Sequence, residues 1–128
     1  MMTALLLAFY RSRVSRAFWA FGLAYTIVRY RHIGIDIATT GSVPALRKGR
    51  VVRVRKTTTM GWVVVIQSGP LFFAYCHLSA KDLPKLGDWI NKGDIIGRLA
   101  WTKDPKSDGY GGSLWTGQHL HLVVMTKP

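Results

Sequence analysis

Cysteine is almost absent from this chain, which has one such residue, Cys76, among its 128 residues. A single thiol excludes an internal disulfide, and it also excludes a zinc cluster built from several cysteines. Any metal bound here must therefore be held by imidazole and carboxylate groups. A nucleophilic role for Cys76 beside His77 is one hypothesis. Its place in the apolar run of residues 71–76 favours a buried thiol without a chemical role.

Acidic residues are also scarce, with 6 Asp and Glu against 18 Lys and Arg, so that the net charge is +12. This charge favours anionic partners such as nucleic acid, acidic lipid or cell-wall polymers, but it does not choose among them. Zinc-finger patterns, a basic helix and RNA-binding signatures are all missing, so we predict no specific nucleic-acid binding. Between residues 51 and 56, Val52 and Val54 alternate with Arg53 and Arg55. This alternation predicts a strand with one apolar and one solvated face.

Long apolar runs are missing as well, because the uncharged stretches at residues 1–10 and 17–28 are both too short to span a bilayer. Arginines follow the first stretch instead of preceding it, and no clear cleavage site appears, so no signal peptide is predicted. We predict that residues 1–13 form an N-terminal extension, docked on the domain or in contact with a membrane interface. Residues 14–128 are predicted to form a single domain.

Strand signals dominate from residue 50 onward. Residues 62–67 form a continuous β-branched run, typical of a strand buried on both faces, and a turn at residues 68–70 joins it to residues 71–76 as a hairpin. Glycines divide residues 87–97 into two short apolar pieces. The sequence therefore predicts a mainly β domain, an antiparallel sheet or sandwich of short strands. The glycine-rich segment 103–116 is predicted to be a flexible surface loop that forms a wall of the active site.

All four histidines of the chain lie in three short patterns: His-Ile-Gly-Ile-Asp at residues 32–36, Tyr-Cys-His-Leu-Ser at 75–79 and Gln-His-Leu-His-Leu at 118–122. Residues two apart on a strand, such as His119 and His121, point to the same face about 6.6 Å apart. His32 and Asp36 would be about 13 Å apart on a straight strand, so the chain must bend, and Gly34 permits the bend. Together the patterns supply the imidazole and carboxylate groups of a water-activating metal centre.

These motifs resemble those of the lysostaphin-type (LytM) zinc endopeptidases, which cut peptidoglycan. The resemblance implies an antiparallel β domain of the duplicated-hybrid-motif type, with a groove that holds the zinc site. It implies one Zn²⁺ per chain, bound by His32, Asp36 and His121, with water in the fourth position. His77 and His119 would then be the unligated catalytic pair. Such enzymes also use a tyrosine near the site, for which Tyr25 and Tyr30 are the alternatives.

The implied activity is zinc-dependent hydrolysis of an amide bond in the stem peptides or cross-bridges of peptidoglycan. The protein would act at the bacterial cell wall, either as a secreted extracellular enzyme or as a phage lysin or virion-associated wall hydrolase, with its basic surface on anionic wall polymers. The alternative is a catalytically silent LytM-like module that binds the wall or activates another hydrolase. Silent relatives typically lose ligand residues, and all five site residues are present in this chain.

Overall fold

The structure is a computed structural model that describes residues 41–126 and, for the backbone alone, residues 35–37. The predicted extension, residues 1–13, lies outside this range. The described residues form eight strands: β1 (Ile35–Ile37), β2 (Ser42–Pro44), β3 (Gly49–Thr57), β4 (Gly61–Ser68), β5 (Leu71–Leu78), β6 (Trp89–Ile90), β7 (Ile95–Arg98) and β8 (Leu120–Met125). Within the same range, no helix combines the length and the apolar character needed to cross a membrane.

The strands form two antiparallel sheets, which confirms the predicted fold class. The larger sheet has six strands in the order β1-β8-β5-β4-β3-β6, and the smaller pairs β2 with β7. The predicted hairpin is β4-β5, in which Ser68 pairs with Leu71 across a two-residue turn. Gly69 in that turn has a φ of 59°, a left-handed conformation that glycine adopts without steric cost. The two short apolar pieces of residues 87–97 become β6 and β7.

The main core lies between the two sheets. Val43 and Ile96 of the small sheet are fully buried in one cluster with Phe73, Tyr75 and other residues of the large sheet. The Tyr75 hydroxyl accepts a hydrogen bond from the Leu46 backbone N–H at 3.0 Å, so this buried polar group is satisfied. A second, smaller cluster contains Val65, Ala74, Cys76 and Val123. Because neighbouring residues of a strand point to opposite faces, this second cluster lies on the other face of the large sheet.

Strand β3 differs from the simple alternation that its sequence predicts. A register shift lies between Val51 and Arg53 where β3 pairs with β4. Val54 therefore packs against the main core, whereas Val52 packs against the second cluster. An extra residue of this kind is a β-bulge, and it resets which face the following side chains share.

The segment 103–116 is less of a surface loop than predicted, because residues 109–112 at its centre are buried. Backbone N–H groups of Ser113 and Leu114 donate hydrogen bonds to the carbonyls of Thr58 and Thr59, in the β3–β4 turn, at 2.9 and 3.1 Å. A Cβ atom on Gly112 would lie 2.1 Å from the Thr59 oxygen. The absence of side chains on the glycines is what lets the loop approach the turn so closely.

Candidate active site

Strand β8 places two of the predicted site residues at one end of the large sheet. His121 alternates with Leu120 and Leu122, both of which are buried in the main core. The His121 side chain therefore lies on the opposite face, the one that carries the second cluster. His119 precedes the strand, and its Nδ1 atom is 3.0 Å from the Gly117 carbonyl oxygen. Both imidazoles are half-buried.

His77, near the end of β5, has an unusual backbone conformation. Cys76 and His77 together face the single residue Val63 of β4, because the register shifts there. The φ of His77 is 62°, a left-handed value that is uncommon outside glycine. Its N–H donates to the Met60 carbonyl at 2.8 Å and its carbonyl accepts from Ala100 N–H at 3.0 Å. A strained residue held from both sides in this way is typical of functional sites.

The three described histidines form one cluster. The ring centroid of His77 lies 5.4 Å from that of His119 and 5.9 Å from that of His121. The His77 side chain is only 3% exposed, and its Nδ1 is 2.5 Å from the carbonyl oxygen of Gly111. A carbonyl only accepts hydrogen bonds, so Nδ1 of His77 carries a proton, and the same holds for Nδ1 of His119. In each neutral imidazole the lone pair is therefore on Nε2.

The backbone of Asp36 reaches this cluster through β1. Asp36 is the register partner of His121, and Cα atoms of paired antiparallel residues lie about 4.5–5.5 Å apart. The side chain of Asp36 lies outside the described part of the structure, as do His32, Tyr25 and Tyr30. Among side chains of residues 41–126, no group of three or more His, Cys, Asp or Glu is placed to hold a metal ion. Only His121 of the predicted ligand set falls in that range.

The residues at this position nevertheless have the right chemistry for zinc. Imidazole and carboxylate are two of the three ligand types that zinc prefers, and the ladder brings the Asp36 and His121 positions side by side. Cys76, the only possible thiolate, is 4% exposed, and burial raises the pKa of its thiol to about 12. This thiol is protonated at neutral pH. A buried, protonated thiol is a poor nucleophile, which argues against the nucleophilic role considered for Cys76.

Gly111 and Trp115 help to position His77, and neither residue was predicted from the sequence. The Gly111 carbonyl accepts the His77 ring hydrogen bond, and a Cβ atom on Gly111 would lie 2.6 Å from the ring of Trp115 and 2.7 Å from the Cβ of Ala100. The Trp115 indole thus packs directly on the peptide that orients the imidazole. The buried N–H of this indole has no acceptor among the described residues. The sequence shows that the loop is rich in glycine, but it does not show that the loop contacts His77.

Replacing Gly111 by alanine is expected to misplace His77, because the added methyl group has no room. Overpacking of this kind costs about 1–3 kcal/mol of unfolding free energy. The hydrolysis that the resemblance implies is expected to fall about tenfold or more, since small displacements of catalytic groups are costly. Denaturant unfolding measures the first effect, and initial rates of this implied hydrolysis measure the second.

Gly93→Ala is the matched control. Nothing lies within 4 Å of a Cβ atom at Gly93, but its φ is 91°, so alanine there introduces backbone strain alone. This variant should lose stability and keep its rate per folded molecule. A Gly111→Ala protein with a normal rate per folded molecule would show that Gly111 does not position His77.

Comparison with known families and structures gives a consistent result. The model of peptidase family M23 matches residues 30–128. The catalytic domain of the prophage-encoded M23 protein EnpA from Enterococcus faecalis is 26% identical, with a TM-score of 0.60, over 76% of this chain and 69% of that one. A zinc-containing peptidase from Vibrio cholerae is 34% identical, with a TM-score of 0.57, over 72% of this chain. Lysostaphin is 26% identical, with a TM-score of 0.57, over 76% of this chain.

Most of these relatives are longer than the part that matches. The chain spans 26% of the length of the Vibrio cholerae peptidase and 37% of the length of lysostaphin. No curated protein sequence matches the chain.

Proposed function

We propose a wall-cutting function for this chain because it belongs to peptidase family M23. The proposed reaction is zinc-dependent hydrolysis of an amide bond in the stem peptides or cross-bridges of bacterial peptidoglycan. The observation that carries the proposal is the cluster of His77, His119 and His121 beside the backbone of Asp36. Such a cluster places groups able to bind a metal next to groups able to move protons.

His32, Asp36 and His121 would hold one zinc ion per chain. When bound, zinc would lower the pKa of a water molecule to about 7 and so supply a nucleophile at neutral pH. The similarity to a zinc-containing peptidase supports this choice of metal. His32 lies four residues before Asp36, with Gly34 between them to allow the bend that a shared ion requires.

His77 and His119 would transfer protons and stabilise charge. Each donates its Nδ1–H to a backbone carbonyl, so each can present Nε2 to the reacting groups. One imidazole would accept the proton of the attacking water and deliver it to the leaving amine. The other, as an imidazolium protonated on both ring nitrogens, would donate a hydrogen bond from Nε2 to the oxyanion that forms on the carbonyl oxygen. Proton transfer and oxyanion stabilisation are shared by this pair of histidines.

The proposed place of action is the bacterial cell wall. A net charge of +12 would concentrate the protein on wall polymers that carry carboxylates and phosphates. The similarity to a prophage-encoded M23 protein supports a phage lysin or a virion-associated hydrolase. The competing proposal is a silent module that binds the wall or activates another hydrolase, and the experiment below separates the two.

Mass spectrometry of fragments released from purified peptidoglycan tests the reaction. We expect new pairs of amine and carboxylate termini that disappear with a chelator and return when zinc is added. The masses also identify the scissile bond. Release that is insensitive to chelation would disprove zinc dependence. Wall binding without any release, by a protein that holds zinc, would favour the silent module.

A further inference from the structure

Three arginines of β3 share one face of the large sheet. Arg50, Arg53 and Arg55 are exposed and lie opposite Gln67, Val65 and Val63 of β4. In a regular strand, residues 50 and 53 would point to opposite faces, since three positions separate them. The β-bulge between Val51 and Arg53 adds the residue that brings all three to the same side. We call Arg50, Arg53 and Arg55 the arginine strip.

The arginine strip lies on the same face of the sheet as the histidine cluster. Arg55 pairs with Val63, Val63 faces the bulge of Cys76 and His77, and Cys76 pairs with His121. These residues form one row across β3, β4, β5 and β8. Adjacent strands are about 4.8 Å apart, so three steps separate Arg55 from His121 by about 14 Å. That distance corresponds to about four residues of an extended peptide.

The positive charge of the arginine strip is not offset by acidic residues of the long strands beside it. Strands β3, β4, β5 and β8 contain no acidic residue. Arg50 is also held in place, because its Nη1 donates a hydrogen bond to the Gly87 carbonyl at 2.8 Å and its guanidinium lies 5.5 Å from the ring centroid of Trp89. Trp89 is itself 52% exposed. A guanidinium fixed by two neighbours loses less conformational freedom when it binds an anion.

We propose that the arginine strip is a substrate subsite that binds peptide carboxylates of the wall while the histidine cluster acts on an amide about four residues away. This inference rests on the proposed function and specifies its substrate. Guanidinium groups match the planar, bidentate geometry of a carboxylate. Carboxylates are favoured over phosphates because a carboxylate can be part of the same peptide as the scissile amide, at a fixed distance from it. Other residues of the row, such as Val63, are apolar. The arginine strip is therefore the charged end of the row.

The test measures binding to purified peptidoglycan by co-sedimentation, which does not require hydrolysis. One portion of the peptidoglycan keeps its phosphate-linked polymers, a second portion is treated with hydrofluoric acid to remove them, and half of the second portion is then amidated with carbodiimide to neutralise its carboxylates. Arg53→Gln/Arg55→Gln is compared with Lys48→Gln/Arg98→Gln. The second pair removes the same charge from the turn before β3 and from the small sheet, and its residues are also exposed. Arg53→Lys/Arg55→Lys keeps the charge and verifies that changes at these positions leave the fold intact.

On acid-treated peptidoglycan that has not been amidated, Arg53→Gln/Arg55→Gln should bind about tenfold more weakly than the wild type, whereas the control pair should bind nearly as well as the wild type. The lysine variant should recover most of the affinity. Amidation should lower wild-type binding to the level of Arg53→Gln/Arg55→Gln and abolish the difference between them. Where hydrolysis occurs, the substitution should raise KM and leave kcat unchanged.

Equal losses in the two charge-matched pairs would overturn the subsite and leave only general surface charge. Wild-type binding that needs phosphate polymers and ignores amidation would assign the strip to phosphate and would also overturn it. If neither the wild type nor any variant hydrolyses peptidoglycan, the proposed function is refuted but the subsite is not. Co-sedimentation measures binding by the arginine strip independently of hydrolysis.

Discussion

Replacing His121 by alanine is expected to remove both zinc binding and hydrolysis. His121 would be one of three protein ligands, and its register pairing with Asp36 ties two of them to neighbouring strands. Removing a group that hydrogen-bonds a metal ligand lowers metal affinity or activity by about 10–100-fold. Removing the ligand itself should lower metal affinity further. Zinc per chain, measured by atomic absorption after dialysis, should fall close to zero. Asp36→Ala should behave in the same way.

His119→Ala is the matched control for this experiment. It removes an imidazole two residues away on the same segment, but from a position that is not proposed to bind zinc. It should therefore keep about one zinc per chain, so that the zinc contents of the two variants differ although neither cuts the wall. If His121→Ala retained as much zinc as the wild type, the proposed ligand set would be wrong.

Replacing His77 is expected to have the second large effect, a loss of hydrolysis with zinc retained. A positioned general acid or base contributes about 10²–10⁴-fold to the rate, and no other described residue occupies the place of His77 in the cluster. Initial rates at saturating wall substrate, together with zinc content, measure the effect. Equal zinc loss in the variants of His77, His119, Asp36 and His121 would contradict the division between ligands and catalytic residues.

The choice of substitution at His77 matters because of its φ of 62°. Alanine fits poorly in this left-handed region, and its introduction also leaves the Gly111 carbonyl without the ring donor. Asparagine tolerates the conformation better, and its side-chain amide can donate a hydrogen bond but cannot transfer a proton at neutral pH. His77→Asn should therefore fold like the wild type and still fail to hydrolyse. Near-normal hydrolysis by a well-folded His77→Asn protein would exclude His77 from proton transfer.

Local patterns in the sequence predicted much of the sheet. The β-branched run at residues 62–67 and the turn at residues 68–70 correctly predicted the hairpin of β4 and β5. The alternation in β3 was less informative, because a β-bulge depends on how a strand meets its neighbour. The prediction of a loop at residues 103–116 missed the buried centre of that loop for a similar reason. Glycines favour flexible loops in isolation, but here they permit close packing against Thr59.

The sequence by itself determined the chemical inventory of this protein: a single cysteine, four histidines in three motifs, a mainly β pattern and a strong positive charge. These features depend on residue type and short spacing, which can be read along the chain. Only the tertiary structure decided that His77 adopts a left-handed backbone, that Trp115 packs on the peptide that orients its ring, and that three arginines share the face of His121. Each of these depends on contacts between segments far apart in sequence, where bulges and close packing set the direction of every side chain.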